Sequence, residues 1–549
     1  MKQLLVLVLL GCCSFLKAQD TAAIKKADLK SAAKLFDLQF TEKEIDTLYT
    51  DVIDNLANYK AMHKLSLPNS VPLSTWQLPY PANNKTSSKV SLSLTNCEVP
   101  ANKNELAFYS IGELAYLIKN KKISSLALTQ FFIERIKKYG DTLECVISLQ
   151  ENIAYAQAKK ADEEIAQGKY RGLLHGIPYG LKDLFAVKGT KTTWGAAPYK
   201  NQVIEEDAFV YTQLQNAGAV LIAKFTLGAL AMGDYWYGGR TRNPWNLKYG
   251  SSGSSAGSTA ATVAGLVPFA IGTETYGSIV SPSTQCGATG LRPTFGSISR
   301  TGAMALSYSL DKIGPICRSA DDAAIVFNYI RGTDGKDLSA TNPSFNYTPN
   351  NDIKKLRIAY AKNYFDQIKD STRNEWKVLA SFKKMGVELI PVHFPDSGVY
   401  NFNIMDVIIG VECAAQFDEM TRLNQDDELT RQTKYDWPNQ FRTARFVPAV
   451  EYINAQRHRS VLMQKVNEVI SQYDVIICPS RGVESNQTAI TNLTGHPVVC
   501  MPTGLDSKYN MPTGITFVGN LYDEGTILQI ANAYQLQTSW NKQHPALFK

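Results

Sequence analysis

The expected fold depends most on two segments: Gly250-Ser-Ser-Gly-Ser-Ser-Ala-Gly-Ser258 and, downstream, Gly272-Thr-Glu-Thr-Tyr-Gly-Ser278. Residues 259–271, between the two, are small and apolar. A Gly/Ser tract ordinarily indicates a flexible linker, but a linker would not lead directly into core. Such a tract brings backbone N–H groups and hydroxyls close together, which suits the binding of an oxyanion. We therefore expect a functional loop here.

Outward from this segment, apolar strands alternate with helices. Strands are expected at 219–223, 356–361, 387–392, 474–478 and 514–518, and helices at 125–139, 154–167, 371–385 and 523–537. This alternation predicts an α/β layered fold with a mostly buried sheet. No linker interrupts it, so residues 105–549 are expected to form one domain.

Two helix boundaries are indicated by single residues. Ser110 and Glu113 have the spacing of a capping box, which predicts that a helix begins after Ser110. Gly140 follows the helix expected at 125–139 and is predicted to end it.

Residues 20–104 form an N-terminal extension ahead of this domain. Residues 22–64 are rich in helix formers, and residues 67–103, rich in Pro, Asn and Ser, are expected to cross a surface as a loop. The apolar residues of the first part recur at roughly helical spacing: Leu35, Leu38, Ile45, Leu48, Val52 and Leu56.

Residues 1–18 have the pattern of an export signal. Met1-Lys2 is followed by an apolar run over 4–10 and then by small residues, too short to span a bilayer. Two ends remain open: Leu9-Leu10-Gly11-Cys12 resembles a bacterial lipobox, which would leave a lipid on Cys12, or cleavage falls after Ala18. The protein is therefore expected to be periplasmic, secreted or a lipoprotein, with no membrane attachment other than that lipid.

Composition excludes several classes of protein. Of 549 residues, 44% are hydrophobic and 19% charged, so disorder is not the main state. The 57 Lys+Arg exceed the 50 Asp+Glu only slightly and are dispersed, so no nucleic-acid patch is expected. The chain has no GxxxxGK[ST], no HExxH and no CxxC, so we expect no cofactor and no metal. The seven cysteines beyond the signal are expected to be buried thiols.

A hydroxyl nucleophile requires a base. The six histidines are scattered, and Gly253-Ser254-Ser255-Ala256-Gly257 spells GxSxG only formally, because a nucleophile elbow requires a strand before it and residues 240–250 indicate a loop. A desolvated lysine can replace histidine as the base. Lys182 lies in the apolar segment Gly176-Ile-Pro-Tyr-Gly-Leu-Lys182-Asp183. A lone lysine is ordinarily solvated, so this assignment depends on its combination with the Gly/Ser segment.

Six segments in this order resemble the amidase signature family, and within it a peptide-amidase-like bacterial subgroup. The resemblance covers roughly residues 105–545 and is carried by the segments 176–183, 253–258, 272–279, 309–323, 492–497 and 514–519. It implies a single domain with a central mixed β-sheet flanked by helices, without a metal or an organic cofactor.

The resemblance also implies a Ser–cis-Ser–Lys triad. Ser278 would be the nucleophile, Ser254 the bridging serine with a cis peptide bond, and Lys182 the base. The N–H groups of Thr275, Tyr276, Gly277 and Ser278 would form the oxyanion hole. Ser255 would support Ser254 by hydrogen bonding, and Met232 and Gly233 lie where relatives approach the substrate.

Three residues depart from the common family pattern. Glu274 replaces Asp, Tyr276 replaces Gly or Asp, and Val280 replaces Arg. Gly and Asp tolerate unusual backbone angles, whereas a bulky aromatic residue does not. Tyr276 is therefore expected either to narrow the substrate pocket or to alter the oxyanion hole.

The expected function is that of an exported amidase, which cleaves a small-molecule or peptide amide into an acid and an amine or ammonia. One alternative is the glutamine-hydrolysing subunit of a tRNA-dependent amidotransferase, against which the export signal argues. A second is an inactive binding protein on the same scaffold, for which Tyr276 is the only support.

Overall fold

The computed structural model describes residues 24–65, 88–349, 352–397, 403–480 and 486–549. The expected export signal at 1–18, with both of its ends, lies outside the described residues, as does the first part of the loop expected at 67–103.

Over the described ranges, a mixed sheet of eleven strands runs through the molecule and is joined by a two-stranded ribbon. The strands are β1 (Val146–Leu149), β2 (Pro178–Lys182), β3 (Val220–Phe225), β4 (Tyr235–Trp236), β5 (Gly239–Arg240), β6 (Ala270–Glu274), β7 (Thr289–Arg292), β8 (Lys312–Cys317), β9 (Ile358–Ala361), β10 (Leu389–Val392), β11 (Val475–Pro479), β12 (Val498–Leu505) and β13 (Pro512–Gly519).

The strand order across the sheet is β1-β3-β2-β6-β8-β7-β12-β13-β11-β9-β10, and β4 pairs with β5 separately. The groups β3-β2-β6 and β11-β9-β10 are parallel, and the other neighbours are antiparallel. The expected α/β fold with a central mixed sheet is confirmed.

Helices cover both faces of this sheet. The α-helices of the described ranges are α1 (Lys26–Leu35), α2 (Glu42–His63), α3 (Ile111–Lys119), α4 (Ser125–Leu143), α5 (Glu151–Ala166), α6 (Phe209–Asn216), α7 (Ala256–Val263), α8 (Val280–Cys286), α9 (Ala320–Ile330), α10 (Lys362–Phe365), α11 (Asn374–Lys384), α12 (Ile404–Gln416), α13 (Asp418–Arg422), α14 (Trp437–Ala444), α15 (Ala449–Ile470), α16 (Gln487–Thr494) and α17 (Glu524–Thr538).

The alternation of side chains along a strand separates two hydrophobic cores. In β11, Val475 and Ile477 belong to the larger cluster, whereas Ile476 and Cys478 belong to the second cluster. Because successive strand residues point to opposite faces, both faces of this strand are buried. This explains why the strands of the C-terminal half are continuous apolar runs in the sequence.

Of the two helix boundaries indicated by single residues, the one at Ser110 is confirmed and the one at Gly140 is not. The hydroxyl of Ser110 accepts a hydrogen bond from Glu113 N, and Glu113 accepts one from Ser110 N, so the predicted capping box is present. Helix α4, however, continues through Gly140 to Leu143. A Cβ at position 140 would lie 3.0 Å from Cγ2 of Val146. This glycine therefore permits close packing, and the prediction that it ends the helix is wrong.

The N-terminal extension contains two helices, α1 and α2, that pack against the main domain. Four of the apolar residues predicted to share a face are buried, namely Leu38, Ile45, Leu48 and Val52, but Leu35 is 85% exposed because α1 ends there. Tyr59 and Met62 of α2 join the cluster that contains Val280. No helix in the described ranges is long and apolar enough to cross a bilayer.

The functional loops lie at one edge of the sheet. Strands β2 and β6 are parallel neighbours, and they end at Lys182 and Glu274. Since the carboxyl ends of parallel strands meet at the same edge, Lys182 and the loop that follows Glu274 are brought together. The loop before α7 carries Ser254 and Ser255 to the same place.

Candidate active site

Lys182 is the last residue of β2 and is fully buried. Its Nζ lies 2.8 Å from Ser254 Oγ, 2.8 Å from Thr273 Oγ1 and 3.2 Å from Ser255 Oγ. Among the described residues, it has no carboxylate within 4.0 Å. Burial lowers the pKa of Lys182 to about 7, although the negative charges of Asp311 and Glu274 act in the opposite direction. A buried amine of this kind is available as a base near neutral pH.

The loop before α7 places two serines beside Lys182. The peptide bond between Gly253 and Ser254 is cis, and both Ser254 and Ser255 are buried. Residues 241–255 contain no strand, so the formal GxSxG is not a nucleophile elbow. Ser255 Oγ accepts a hydrogen bond from Thr273 N at 3.1 Å and donates one to Thr273 O at 3.1 Å. These bonds attach the serine loop to β6.

Ser278 lies at the end of the loop that follows β6. It is 8% exposed, and its carbonyl accepts a hydrogen bond from Ser255 N at 3.1 Å. Within the described part of the chain, the Ser278 hydroxyl forms no hydrogen bond. The N–H groups of Tyr276, Gly277 and Ser278 likewise donate to no described residue. The loop therefore presents a hydroxyl and three consecutive free donors at one point.

The backbone cost expected for Tyr276 is absent. Gly277, not Tyr276, has the positive φ, at +85°. A glycine adopts this angle freely, so the aromatic residue before it is not strained. The Tyr276 side chain is 47% exposed and points away from the core. A role of Tyr276 in narrowing the substrate pocket or in altering the oxyanion hole stays a prediction.

Glu274, the last residue of β6, holds the loop that follows it through the hydrogen bonds of its carboxylate. Its Oε2 accepts hydrogen bonds from Ile279 N at 2.8 Å and Val280 N at 2.9 Å. Its Oε1 accepts hydrogen bonds from Arg292 Nη1 at 3.1 Å and Asn492 Nδ2 at 2.8 Å. Burial alone would raise the pKa of Glu274, but Arg292 and these donors bring it below its usual value. The carboxylate therefore remains charged and occupies the donors at positions 279 and 280, leaving those at 276–278 free.

Thr275 is held from the other side by Asp311. Thr275 Oγ1 donates to Asp311 Oδ1 at 2.5 Å, and Asp311 Oδ2 accepts from Leu306 N at 2.7 Å and Ser307 N at 3.0 Å. Thr275 and Thr273 both line a cavity of about 220 Å³ next to the triad. Half of its other lining residues are apolar, including Leu184, Met304 and Leu306, and the charged ones include Arg300 and Asp337.

Met232 and Gly233, the two residues expected to approach the substrate, do not line that cavity. A Cβ on Gly253 would lie 1.9 Å from Gly233 O, so Gly233 packs directly on the serine loop. Met232 lines a smaller recess with Tyr235 and Trp437. Their contact with substrate stays a prediction.

Sequence reasoning missed three residues of this site. Thr273 has no distinctive pattern of its own, but it lies in the quoted segment 272–279 and binds Lys182. Glu274 was recognised only as a departure from the family pattern. Asp311 lies in the quoted segment 309–323 and was given no role.

The cysteines were also predicted from the sequence. Cys97 is half-buried, and the other six described cysteines are buried, as expected. Asp183, next to Lys182, points away and pairs with Lys224 at 2.8 Å. The described ranges contain no cluster of three or more His, Cys, Asp or Glu that could hold a metal.

Comparison with known sequences identifies the scaffold. Residues 127–528 match the family model of Amidase. The chain is 33% identical over 483 residues to a glutamyl-tRNA(Gln) amidotransferase subunit of Coxiella burnetii, and the match covers 80% of this chain and 99% of that protein. The corresponding protein of Geobacillus kaustophilus is 32% identical over 483 residues, with 80% of this chain and 99% of that protein covered.

Solved structures agree with this assignment. The peptide amidase of Stenotrophomonas maltophilia superposes with a TM-score of 0.69 at 25% identity, covering 79% of this chain and 98% of that one. A glutamyl-tRNA(Gln) amidotransferase subunit of Thermotoga maritima superposes with a TM-score of 0.67 at 26% identity, covering 82% of this chain and 99% of that one. The match over residues 127–528 and the shared fold show that this chain belongs to the amidase signature family.

Proposed function

We propose that this chain hydrolyses a carboxylic amide through an acyl-enzyme on Ser278, with Ser254 as the bridging hydroxyl and Lys182 as the base. The observation that carries the proposal is the contact of 2.8 Å between Lys182 Nζ and Ser254 Oγ, in which the amine has no carboxylate partner among the described residues. A lysine paired with a carboxylate would stay charged and could not accept a proton.

The contacts of Lys182 match those of a neutral amine. Such an amine has two N–H donors and one lone pair. The donors can bond Thr273 Oγ1 and Ser255 Oγ, which leaves the lone pair for the Ser254 hydroxyl to donate into. Ser254 can then accept the proton of Ser278. The Ser254–Ser278 hydrogen bond is not formed in this structure, and such bonds often tighten only when substrate binds.

Acylation and deacylation then use the same proton path. Ser278 Oγ attacks the amide carbon as its proton passes to Ser254, and Ser254 passes its own to Lys182. The free N–H groups of Tyr276, Gly277 and Ser278 stabilise the negative oxygen that develops. The path returns the proton to the amine, which leaves. Water then attacks the acyl carbon by the same route and releases the acid.

The cavity beside Thr273 and Thr275 supports a small amide with an apolar part as substrate. Its volume of about 220 Å³ suits a small substrate, and its apolar lining residues, among them Leu184, Met304 and Leu306, suit an aliphatic or aromatic group. The ion pair of Arg300 with Asp337 lies at its polar end, at 2.8 Å.

A second candidate function is the hydrolysis of glutamine as one subunit of an amidotransferase. It is favoured by relatives that carry that name, are 33% identical and are covered over 99% of their length. The two candidates share the same chemistry on Ser278. They differ in substrate and in the need for partner subunits and tRNA.

An assay of the purified chain separates these functions. The amides tested are glutamine, a C-terminally amidated peptide, an aryl amide and a fatty acyl amide, with Ser278→Ala as the matched control. Release of ammonia or amine from an amide other than glutamine by the chain alone, absent in Ser278→Ala, is the result we expect. Activity confined to glutamine would favour the amidotransferase reaction. Failure to hydrolyse any amide, together with no labelling by a fluorophosphonate, would favour an inactive binding protein.

We also propose that the protein is exported, on the basis of the pattern at residues 1–18. Mass spectrometry of the native N-terminus tests this directly. A lipid-modified Cys12 or a chain beginning at Gln19 is expected. Recovery of intact Met1 from cytosol would contradict export and would favour the amidotransferase reaction.

A further inference from the structure

Asp311 is a buried carboxylate between the active-site loops and β8. It accepts three hydrogen bonds, from the Thr275 hydroxyl at 2.5 Å and from the backbone N–H groups of Leu306 and Ser307 at 2.7 and 3.0 Å. Thr275 begins the segment expected to hold the oxyanion, and Leu306 lines the adjacent cavity. A single carboxylate therefore connects the oxyanion loop to the wall of the substrate cavity.

We propose that Asp311 is a positioning residue for amide hydrolysis, which fixes Thr275 at the edge of the oxyanion loop and connects that loop to the wall of the substrate cavity. The inference rests on the proposed function, because it assigns to Asp311 a part in the chemistry of Lys182 and Ser278.

The other charged groups around Lys182 are already balanced by partners. Glu274 pairs with Arg292 at 3.1 Å, and Asp183 pairs with Lys224 at 2.8 Å. Asp311 has no ion pair within 4.0 Å among the described residues. Its unbalanced charge therefore acts on Lys182 more strongly than that of Glu274, and its effect is to raise the pKa of Lys182 against the larger effect of burial.

Two cationic side chains, Arg300 and Lys312, line the same cavity as Asp311. Arg300 lowers the pKa of Asp311, but it is committed to an ion pair with Asp337 at 2.8 Å. Lys312 donates to Leu310 O, and burial holds its pKa well below the usual value. Burial raises the pKa of Asp311 itself, but the three hydrogen bonds that it accepts favour the ionised form.

The shape of the 306–309 loop does not depend on Asp311 alone. Glu412 accepts hydrogen bonds from the Ser307 hydroxyl, from Ser309 N at 3.0 Å and from Ser309 Oγ at 2.7 Å. The carboxylates that raise the pKa of Lys182 are Asp311 and Glu274. Glu412 therefore offers a matched control: a carboxylate that holds the same loop without the electrostatic role.

The test measures the rate at which a fluorophosphonate labels Ser278, from about pH 5 to about pH 10, in the full mature chain. The probe needs no natural substrate, and the rate rises as Lys182 loses its proton. For the wild type, the midpoint of this rise is expected near the Lys182 pKa of about 7. In Asp311→Asn, the midpoint should fall by about one pH unit, because a charge that favours protonated Lys182 is gone.

Three further variants keep the test decisive. Asp311→Ser is also neutral but places no amide N–H against the donors of Leu306 and Ser307, so it serves if Asp311→Asn folds poorly; its midpoint should fall as well. Glu412→Gln should keep the wild-type midpoint. Thr275→Val keeps the charge of Asp311 but loses the hydroxyl, and its limiting rate should fall about tenfold with no downward shift of the midpoint.

The outcomes distinguish this inference from the proposed function. A wild-type midpoint in both neutral Asp311 variants, or an equal shift in Glu412→Gln, would overturn the electrostatic role. A wild-type limiting rate in Thr275→Val would overturn the positioning role. If the wild type is not labelled at Ser278 at all, the proposed function fails and the inference fails with it.

Discussion

The Nζ of Lys182 lies 2.8 Å from the Oγ of Ser254, and among the described residues no carboxylate lies within 4.0 Å of this buried amine. Lysines in proteins are ordinarily solvated or paired with an acid. Here the partners are the hydroxyls of Ser254, Ser255 and Thr273. Burial lowers the pKa of Lys182 to about 7, and the neutral amine that this favours is the base of the proposed reaction.

Replacement of Lys182 by Arg tests whether a neutral side chain is needed. Arginine keeps the charge and similar length but cannot lose its proton in a protein, so Lys182→Arg should be nearly as inactive as Lys182→Ala. For the wild type, kcat/KM should rise about tenfold per pH unit below the Lys182 pKa of about 7 and level off above it. The measurement is the pH profile of kcat/KM. Substantial activity in Lys182→Arg would mean that position 182 acts as a fixed cation.

The two serines should differ in how much activity their loss removes. Ser278→Ala removes the nucleophile, and kcat should fall by at least ~10⁴-fold while the thermal midpoint stays close to that of the wild type. Ser254→Ala interrupts the proton path but leaves the nucleophile and the oxyanion hole, so the loss should be smaller, about 10³-fold. Steady-state kinetics and circular dichroism on both variants provide the comparison. Equal activity of either variant and the wild type would contradict the triad.

Glu274 should act through the shape of the nucleophile loop. Glu274→Gln keeps the size of the side chain but cannot accept from both Ile279 N and Val280 N while Arg292 stays paired. Since small displacements of catalytic groups cost up to about 100-fold, kcat should fall by about 10- to 100-fold with a smaller change in KM. Glu274→Asp keeps the charge but is one methylene shorter, so this variant separates the effect of the charge from the effect of side-chain length. A wild-type kcat in Glu274→Gln would exclude this role.

The buried pair of Asp183 and Lys224 should contribute to stability and not to chemistry. Both side chains are fully buried and 2.8 Å apart, and Lys224 also donates to Thr192 Oγ1 at 2.7 Å. Lys224→Met leaves Asp183 buried without its cation, which should cost about 3–5 kcal/mol. The expected result in calorimetry is a lower thermal midpoint, partly restored in the double variant with Asp183→Asn. A Lys224→Met protein as stable as the wild type would contradict this.

Much of the fold could be predicted because its strands are buried on both faces. Val475–Pro479 is a continuous apolar run and Pro512–Gly519 contains the apolar residues Ile515, Phe517 and Val518, and both strands were expected within two residues of their observed bounds. Gly140 was misjudged because a glycine that ends a helix and a glycine that permits close packing look the same in sequence. The contact that explains Gly140 is with Val146, on the next strand.

The sequence indicated which residues to expect in the candidate site, but not the hydrogen bonds that connect them. The segments containing Lys182, Ser254 and Ser278 were recognised by their sequence, and the fold brings them to one edge of the sheet. The hydrogen bond from Thr275 to Asp311 joins residues 36 positions apart, and no local pattern indicates it. The cost assigned to Tyr276 was wrong because the neighbouring Gly277 adopts the unusual angle instead.

The central claim is that Ser278 is a nucleophile activated through Ser254 by Lys182. The most direct measurement is peptide mapping by mass spectrometry after reaction with a fluorophosphonate, on the wild type, Ser278→Ala and Lys182→Ala in parallel. The account predicts one adduct on the wild type, on the peptide that contains Ser278, no adduct on Ser278→Ala and strongly slowed labelling of Lys182→Ala. An adduct on another residue, or labelling of Lys182→Ala at the wild-type rate, would contradict it.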